Sequence, residues 1–293
     1  MPDGFRFMAQ HRPLLLFSIL AILLGWLVAL PLVLSPAGLG IIQVQVPELW
    51  LVLVCFTPTI AALWTQRLSE GNFRIARIGS PWPRVVLGCV LGPVVSMLGF
   101  IVVPGLLLSN GALTLVHWTA LASASVPWWS NPFNLLGGPL NEEPGWRGYA
   151  LPRCQERFGP LGGSLFLGGV WALWHVPLFL LAGYLTVPVW AFMLLVVCLS
   201  VLMTWVYNIS NGSLIPAVLM HAVFNSSFPV LIALDQGIPT REPGLPWYLA
   251  GVVSVTAAVV LLTLGRLGYR RKDLEDRGPT LIIRPAAARD ARE

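Results

Sequence analysis

Two long stretches of this chain contain no charged residue. Asp, Glu, Lys and Arg are all absent from Val85 to Asn141 and again from Phe158 to Leu234. With 56% hydrophobic and 11% charged residues over 293 positions, the chain is too apolar for a soluble domain of this length. Lipid admits only helices and closed barrels, and the apolar runs are of helical length. The sequence therefore predicts an all-α integral membrane protein, a polytopic bundle of helices.

Eight apolar stretches approach the roughly 20 residues that a helix needs to cross the hydrocarbon core. The fourth is the weakest, because Pro, Asn and Gly interrupt it and two glutamates close it. We therefore expect about eight transmembrane helices. Their predicted positions are about 13–34, 46–65, 85–108, 127–146, 164–182, 186–207, 213–233 and 246–265.

Basic residues gather in segments that separate the apolar runs. Eight spans would place all of these segments on one side, which the positive-inside rule identifies as cytoplasmic. Topology then explains the net charge of +5, and no nucleic-acid partner is required. We expect both termini to be cytoplasmic, with residues 1–267 forming one bundle and residues 268–293 a mobile tail. The segments are the N-terminal arm, 67–84, 147–157 and the tail from 266.

Two adjacent carboxylates, Glu142 and Glu143, stand out in this apolar background. Ionisable groups at membrane depth are costly, and they usually face a bundle interior or a water-filled cavity. Arg147 lies four residues after Glu143, so the two can form an ion pair on one helix face. Glu142 is then the spare carboxylate, a candidate general base. Pro144 could weaken this argument by starting or kinking the helix, and both glutamates could instead be anchors at a helix end.

Two histidines lie inside otherwise uncharged spans. His175 is preceded one turn earlier by Trp171, while His221 and Asn225 lie four apart and share a helix face. A lone histidine in an apolar helix is more often a satisfied core residue, and a His–Asn pair is often an interhelical hydrogen bond. The expected depth of His175 and His221, two to three turns from the basic side, would nevertheless let them meet the glutamates at one level.

Three motifs occur in a fixed order along the chain: EExxxR at residues 142–147, an aromatic residue before His175, and HxxxN at residues 221–225. Together with the surrounding words EEPGWRGYALPR and GSLIPAVLMHAVFN, they resemble the CPBP family. This is the CAAX protease and bacteriocin-processing family of intramembrane endopeptidases, also called Abi or type II CAAX prenyl endopeptidases. The resemblance covers roughly residues 135–227 and implies a protease-like core at about 127–233.

The resemblance implies a role for each motif residue. Glu142 would activate water with help from His175, His221 and Asn225 would stabilise the oxyanion, and Glu143 and Arg147 would support the site. A second description of the family implies a metalloprotease, with Glu142, His175 and His221 as candidate Zn²⁺ ligands. The implied partners are the lipid bilayer and a peptide or membrane-protein substrate, either CAAX-like or processed near its C-terminus. The implied location is a bacterial plasma membrane.

Two other classes of function fit parts of the same pattern. A non-catalytic scaffold or bacteriocin-immunity protein would use the bundle to bind a partner. A proton- or ion-coupled transporter would use the buried glutamates and histidines as a relay, although the sequence shows no internal repeat of the kind such transporters carry. Substituting Glu142 and His175 distinguishes the enzyme from the scaffold, since only the enzyme needs both, whereas substrate flux in proteoliposomes without peptide products would favour the transporter.

Overall fold

The protein is a bundle of apolar helices, described in a computed structural model for residues 3–71, 73–74, 81–108, 133–182, 187–226, 244–270 and 282–283. Its helices are α1 Asp3–His11, α2 Pro13–Leu34, α3 Trp50–Glu70, α4 Trp82–Met97, α5 Val103–Leu108, α6 Phe133–Leu136, α7 Pro139–Glu143, α8 Leu151–Trp174, α9 Val189–Ile209, α10 Leu214–Asn225 and α11 Gly244–Leu262. The predicted all-α membrane bundle is confirmed.

Shorter elements connect some of these helices. A π-helical turn, Leu98–Val102, joins α4 to α5, and a second, Pro144–Ala150, joins α7 to α8. A 3-10 helix, Val176–Leu180, follows α8. Two-residue strands, β1 Phe73–Arg74 and β2 Ile282–Ile283, pair antiparallel.

The segment Pro139–Leu180 folds back on itself at Gly159. It is 42 residues long, which in one straight helix would extend about 63 Å, twice the hydrocarbon thickness. Gly159 has φ 73° and ψ 172°, a conformation open essentially only to glycine. A Cβ placed on Gly163 would lie 2.8 Å from the carbonyl carbon of Cys154, whereas residues nine apart in a straight helix are separated by about 13 Å. We call Pro139–Leu180 the hairpin; its limbs run to and from Gly159.

The hairpin accounts for the number of spans. Six helical segments of the described residues are long and apolar enough to cross a membrane, and Pro139–Leu180 is one of them. Counting its two limbs separately and adding the shorter apolar helix α10 brings the number to eight, as expected from the sequence.

The predicted boundaries of the fourth span were wrong. The first limb starts at Pro139 and continues to Gly159, whereas the predicted span ended at residue 146 and left residues 147–157 as a loop. Arg147 is completely buried inside this helical limb. Hydropathy placed the boundary too early because it counted Arg147 as a charge facing water, whereas the structure pairs that charge inside the bundle.

One end of the bundle collects the basic segments. Arg153 bonds Glu70 at the end of α3, and the Asn208 side chain at the end of α9 donates to Gln155 of the hairpin and to the carbonyl of Leu267. We call this end, formed by these five residues, the basic end. It also carries Arg67, Arg157 and Arg266, which are close in sequence to its members. The prediction that separate basic segments share one side is consistent with this arrangement, while the cytoplasmic assignment stays a prediction.

Close backbone contact positions the hairpin against the rest of the bundle. A Cβ on Gly145 would lie 2.4 Å from the carbonyl carbon of Pro58, so the first limb touches the α3 backbone directly. On the neighbouring face, Phe17 of α2 packs against Trp146 and Tyr149, with ring centroids 5.6 and 5.3 Å apart. These contacts fix the rotation of the limb that carries both glutamates.

Several expectations fall on parts of the chain outside the described residues. These are the predicted outer loop at 109–130, residues 235–243 of the predicted outer loop at 235–246, and the part of the predicted seventh span that follows residue 226. Residues 244–246 of the second loop are the first residues of α11. The predicted mobile tail is described only up to Arg270 and at Ile282–Ile283, where it pairs with β1.

Candidate active site

The six residues singled out from the sequence gather where the open end of the hairpin meets α10. Glu142 and His175 lie 17 and 16 positions from Gly159, on opposite limbs, so each is about 25 Å along its helix from the turn. They meet at one level, as expected. That level is farther from the basic end than the two to three turns predicted for His175, because the limb begins directly after Gly159 rather than at residue 164.

Glu142 is held by the indole groups of two tryptophans. Its side chain is buried, and its Oε2 accepts hydrogen bonds from Trp146 Nε1 at 3.2 Å and Trp171 Nε1 at 2.9 Å. The Cys55 thiol of α3 also interacts with this carboxylate and donates to the Gly137 carbonyl. Two neutral donors on one oxygen hold the carboxylate in place and leave its negative charge uncompensated. A cation in the same position would compensate that charge.

Glu143 occupies a different environment although it is the next residue. Its Oε1 accepts from Arg147 Nη1 at 3.0 Å and contacts His221 Nδ1 at 2.8 Å, and both Glu143 and Arg147 are completely buried. The ion pair predicted from the four-residue spacing is confirmed. Glu143 therefore has a cation and an imidazole as hydrogen-bond partners, whereas among the described residues Glu142 accepts hydrogen bonds from indole N–H groups.

Pro144 does not break the helix, contrary to the concern raised by the sequence. Glu143 keeps helical dihedrals, φ −61° and ψ −32°, and Pro144 begins the π-helical turn. Because Pro144 lies inside the limb, its missing N–H removes one helical hydrogen bond there without ending the helix. The wider π turn is a device often found at functional sites, and it carries both Trp146 and Arg147.

His175 follows Trp174, the last residue of α8, and one of its ring nitrogens is engaged in a hydrogen bond. Its Nδ1 lies 2.8 Å from the carbonyl oxygen of Trp171, which can only accept, so Nδ1 carries the proton. In the neutral ring, Nε2 is then an acceptor. The ring packs edge-on against Trp174 and Phe192, with centroids 4.7 and 5.1 Å apart, and the side chain is only partly buried.

α10 brings His221 and Asn225 to the site on one face, one turn apart. His221 is buried, and its ring packs edge-on against Trp171 with centroids 5.0 Å apart. Asn225, the last residue of the helix, is partly buried, and its amide nitrogen approaches the backbone of Gly138 at the start of the first limb. His221 and Asn225 therefore reach different parts of the hairpin's open end.

The three candidate zinc ligands each make hydrogen bonds within the protein. Among the residues that the structure describes, no group of three or more His, Cys, Asp or Glu side chains is placed to hold a metal ion. Glu142 Oε2 accepts from two indole N–H groups, while each histidine has its Nδ1 engaged and keeps Nε2, the ring nitrogen that such a histidine would offer to a metal. The assignment of Glu142, His175 and His221 as Zn²⁺ ligands therefore stays a prediction.

Trp171 and Trp146 are site residues whose role the sequence analysis missed. Trp171 contacts Glu142, His175 and His221, and the Arg147 guanidinium lies 4.3 Å from its ring centroid. Trp146 follows Glu142 by four residues, the same spacing that revealed the Glu143–Arg147 pair. That spacing was a usable signal, because indole N–H groups seek acceptors when they are buried.

Comparisons with known proteins point to one family. Residues 123–227 match the family model described as Type II CAAX prenyl endopeptidase Rce1-like, and this interval contains all six candidate site residues. CAAX prenyl protease 2 from Methanococcus maripaludis is 30% identical over 129 residues, which cover 41% of this chain and 47% of the relative. The alignment thus spans about half the length of the curated relative.

Proposed function

Because residues 123–227 match the family model of Rce1-like type II CAAX prenyl endopeptidases and resemble a CAAX prenyl protease 2, we propose that the protein is an intramembrane endopeptidase of the glutamate type. Glu142 is the general base that activates water, and His175 assists it. His221 and Asn225 stabilise the oxyanion, and Glu143 with Arg147 supports them. The proposed chemistry uses protein groups and water alone.

The observation that carries the proposal is the unequal environment of the two adjacent glutamates. Glu143 is engaged by Arg147 and His221, which suits a supporting role. Glu142 has one oxygen fixed by two indole N–H groups and a second oxygen, Oε1, outside those bonds. A base must be held in place and yet keep a free lone pair for the proton it takes, and Glu142 meets both conditions.

Peptide hydrolysis at this site proceeds in two balanced steps. Glu142 takes a proton from water while the water oxygen bonds to the scissile carbonyl carbon, and the carbonyl π electrons move onto its oxygen. The tetrahedral intermediate then collapses, the C–N bond breaks, and Glu142 returns the proton to the leaving amine. The products are a carboxylic acid and an amine, whose ionised forms, a carboxylate and an ammonium, follow when the acid passes its proton to the amine, and Glu142 is regenerated as a carboxylate.

The histidines differ in what their ring nitrogens can do. With its proton on Nδ1, neutral His175 offers Nε2 as an acceptor that orients the attacking water. His221 can donate from Nε2 to an oxyanion only as an imidazolium, and the Glu143 carboxylate at its Nδ1 is the counter-ion that this form requires. In the low dielectric of the bundle such donors stabilise charge strongly.

The proposed substrates are membrane-associated peptides or C-terminal, CAAX-like sequences. The similarity to CAAX prenyl protease 2 from Methanococcus maripaludis supports this class. The partly buried positions of His175 and Asn225 indicate that a peptide reaches the site past these two residues, since Glu142 itself is buried.

The test compares wild-type protein with Glu142→Gln in liposomes, using a prenylated CAAX peptide and the same peptide without the prenyl group. Mass spectrometry should find new peptide products with wild type, and a chelator should leave their rate unchanged. Glu142→Gln should form them at least about 100-fold more slowly. Normal turnover by Glu142→Gln would contradict the proposal, and loss of activity on chelation would contradict its metal-free form. If wild type forms no product from either peptide, a binding scaffold becomes the better description.

A further inference from the structure

The π-helical turn between α4 and α5, Leu98–Val102, borders α10 and contains a carbonyl without its usual helical donor. In an α-helix the Phe100 carbonyl would accept from the N–H of the residue four positions later. That residue is Pro104, which has no N–H. The buried Phe100 carbonyl is therefore open to a donor from another helix.

Tyr248 of α11 supplies such a donor. Its hydroxyl donates to the Phe100 carbonyl oxygen at 3.0 Å, and both residues are buried. Gly251, about one turn further along α11, brings the two segments together, because an added Cβ there would lie 2.5 Å from Cα of Pro104. α11 thus contacts the chain at the same proline that leaves the Phe100 carbonyl unmatched, and it donates to that carbonyl.

The ring of Phe100 in turn packs against the end of α10. It meets Phe224 edge-on, with ring centroids 4.7 Å apart, and both rings are buried. Phe224 directly precedes Asn225, the last residue of α10. The last turn of a helix lacks the hydrogen bonds that a following turn would make, so its position depends more on contacts with other segments.

We propose that Tyr248 is a positioning residue for Asn225. Its hydroxyl holds the Phe100 carbonyl, the Phe100 ring supports Phe224, and Phe224 determines where the Asn225 amide lies. This inference rests on the proposed function, in which Asn225 donates a hydrogen bond to the oxyanion. Phe100 and Tyr248 both lie outside residues 123–227, the interval that matches the family model.

The other groups of the site are held by different contacts. Glu142 accepts from Trp146 and Trp171 of the hairpin. His221, one turn before Asn225 on α10, contacts Glu143 of the hairpin through its Nδ1. A change at Tyr248 should therefore weaken oxyanion stabilisation by Asn225 and leave the general base in place.

The first test measures cleavage of a prenylated CAAX peptide by Tyr248→Phe in liposomes, at a temperature well below the Tm of each variant. The substitution removes one hydroxyl and keeps the ring. Removing an oxyanion donor outright costs about 10²- to 10³-fold in kcat, and displacing it should cost less, so we expect kcat to fall about tenfold. KM should stay within about twofold of wild type, because the donor acts in the transition state.

Tyr207→Phe is the matched control. Tyr207 is buried near the start of α10, where its hydroxyl lies 3.2 Å from the position of a Cβ on Gly212. The same atom is removed at the opposite end of α10 from Asn225, so kcat should stay within about twofold of wild type. Equal losses of kcat in the two variants would show that any hydroxyl lost around α10 impairs the enzyme, and would overturn the inference.

A double-mutant cycle tests whether Tyr248 acts through Asn225. In the Asn225→Ala background, Tyr248→Phe should change kcat by less than about twofold, because the donor that it positions is gone. In the Trp171→Phe background the loss of about tenfold should persist, since Trp171 bonds the general base. The same loss in both backgrounds would overturn the inference.

Hydrogen exchange provides a readout that needs no catalysis. In Tyr248→Phe, the backbone amides of residues 222–226 should exchange several times faster than in wild type, while those of residues 139–147 should not change. Unchanged exchange at 222–226 would overturn the inference, also where Asn225→Ala leaves too little activity for the cycle.

The cleavage results separate this inference from the proposed function. Wild-type kcat in Tyr248→Phe, or a loss confined to KM, would overturn the inference and leave the proposed function in place. If wild-type protein cleaves no peptide, the proposed function fails and the inference falls with it.

Discussion

The molecule contains two Arg–Glu ion pairs in very different surroundings. Arg147 and Glu143 pair at 3.0 Å in the candidate active site, where both side chains are completely buried. Arg153 and Glu70 pair at 2.7 Å at the basic end, where the side chains are 25% and 38% exposed. The shorter Arg153–Glu70 contact contributes less to stability, because water and ions weaken the attraction between exposed charges. In the buried pair each charge depends on its partner, because no water is there to solvate it.

The buried pair is not arranged for maximum stability. Glu143 Oε2 and the Arg147 atoms Nε and Nη2 have no hydrogen-bond partner among the described residues. Replacing a buried ion pair with apolar residues often stabilises a protein, so its presence requires another reason. Here the shared partner is His221, which contacts the same oxygen of Glu143 as Arg147 does. The comparison supports the proposal that one end of the hairpin carries the chemistry, while the other end joins helices of the bundle.

The largest expected effect comes from breaking the buried pair. Arg147→Ala leaves Glu143 as a buried charge without its cation, and we expect the free energy of unfolding to fall by about 3–5 kcal/mol. Denaturant titration in detergent measures this loss. A stability within about 1 kcal/mol of wild type would mean that the two ends of the hairpin do not differ in the way described.

The next effect concerns the indole donors. Trp171→Phe keeps a ring but removes a hydrogen bond to the Glu142 carboxylate, a loss of about 1.5–3 kcal/mol, so kcat should fall roughly 10- to 100-fold. Trp146→Phe should act in the same direction, and its longer bond predicts a smaller loss.

Trp174→Phe is the matched control for these variants. Trp174 belongs to the same aromatic group, with its ring centroid 6.3 Å from that of Trp146, but its Nε1 donates to the Thr57 hydroxyl. Equal losses of kcat in all three variants would show that the tryptophans act through packing. The hydrogen bonds from Trp146 and Trp171 to Glu142 would then have no particular role in catalysis.

The smallest effect is expected at the basic end. Arg153→Ala removes the partly exposed pair and should cost about 0.2–1 kcal/mol of unfolding free energy. Salt should reduce the difference between wild type and this variant, because the Debye length is about 3 Å at 1 M. A salt-independent cost above about 2 kcal/mol would show that this pair behaves like the buried one.

Local spacing was sufficient for part of the site. Glu143 and Arg147 lie one turn apart, so the sequence predicts their contact as soon as the segment is helical. The same rule applies to Trp146 and Glu142, although attention to charge alone overlooks it. His221 and Asn225 share a face of α10 for the same reason.

Sequence reasoning placed the glutamates and histidines at one level but did not give the individual contacts between distant segments. His221 reaches Glu143 across 78 residues, and Trp171 reaches Glu142 across 29. The Trp171 contact depends on the reversal at Gly159, which the sequence analysis expected between the fourth and fifth spans but placed in a loop at 147–157. The fourth span was predicted to end too early because its last part contains Arg147. The structure buries this charge by pairing it with Glu143 and placing it over the ring of Trp171.

The most direct test of the central claim compares Glu142→Gln with Glu143→Gln, measuring both Tm and cleavage of a prenylated CAAX peptide. The two substitutions are isosteric and one residue apart, so they isolate the difference between the carboxylates. Glu142→Gln should keep the wild-type Tm and lose about 10²- to 10⁴-fold in kcat, while Glu143→Gln should lower the Tm. Wild-type cleavage by Glu142→Gln, with Glu143→Gln stable and inactive, would contradict the division of roles proposed for this site.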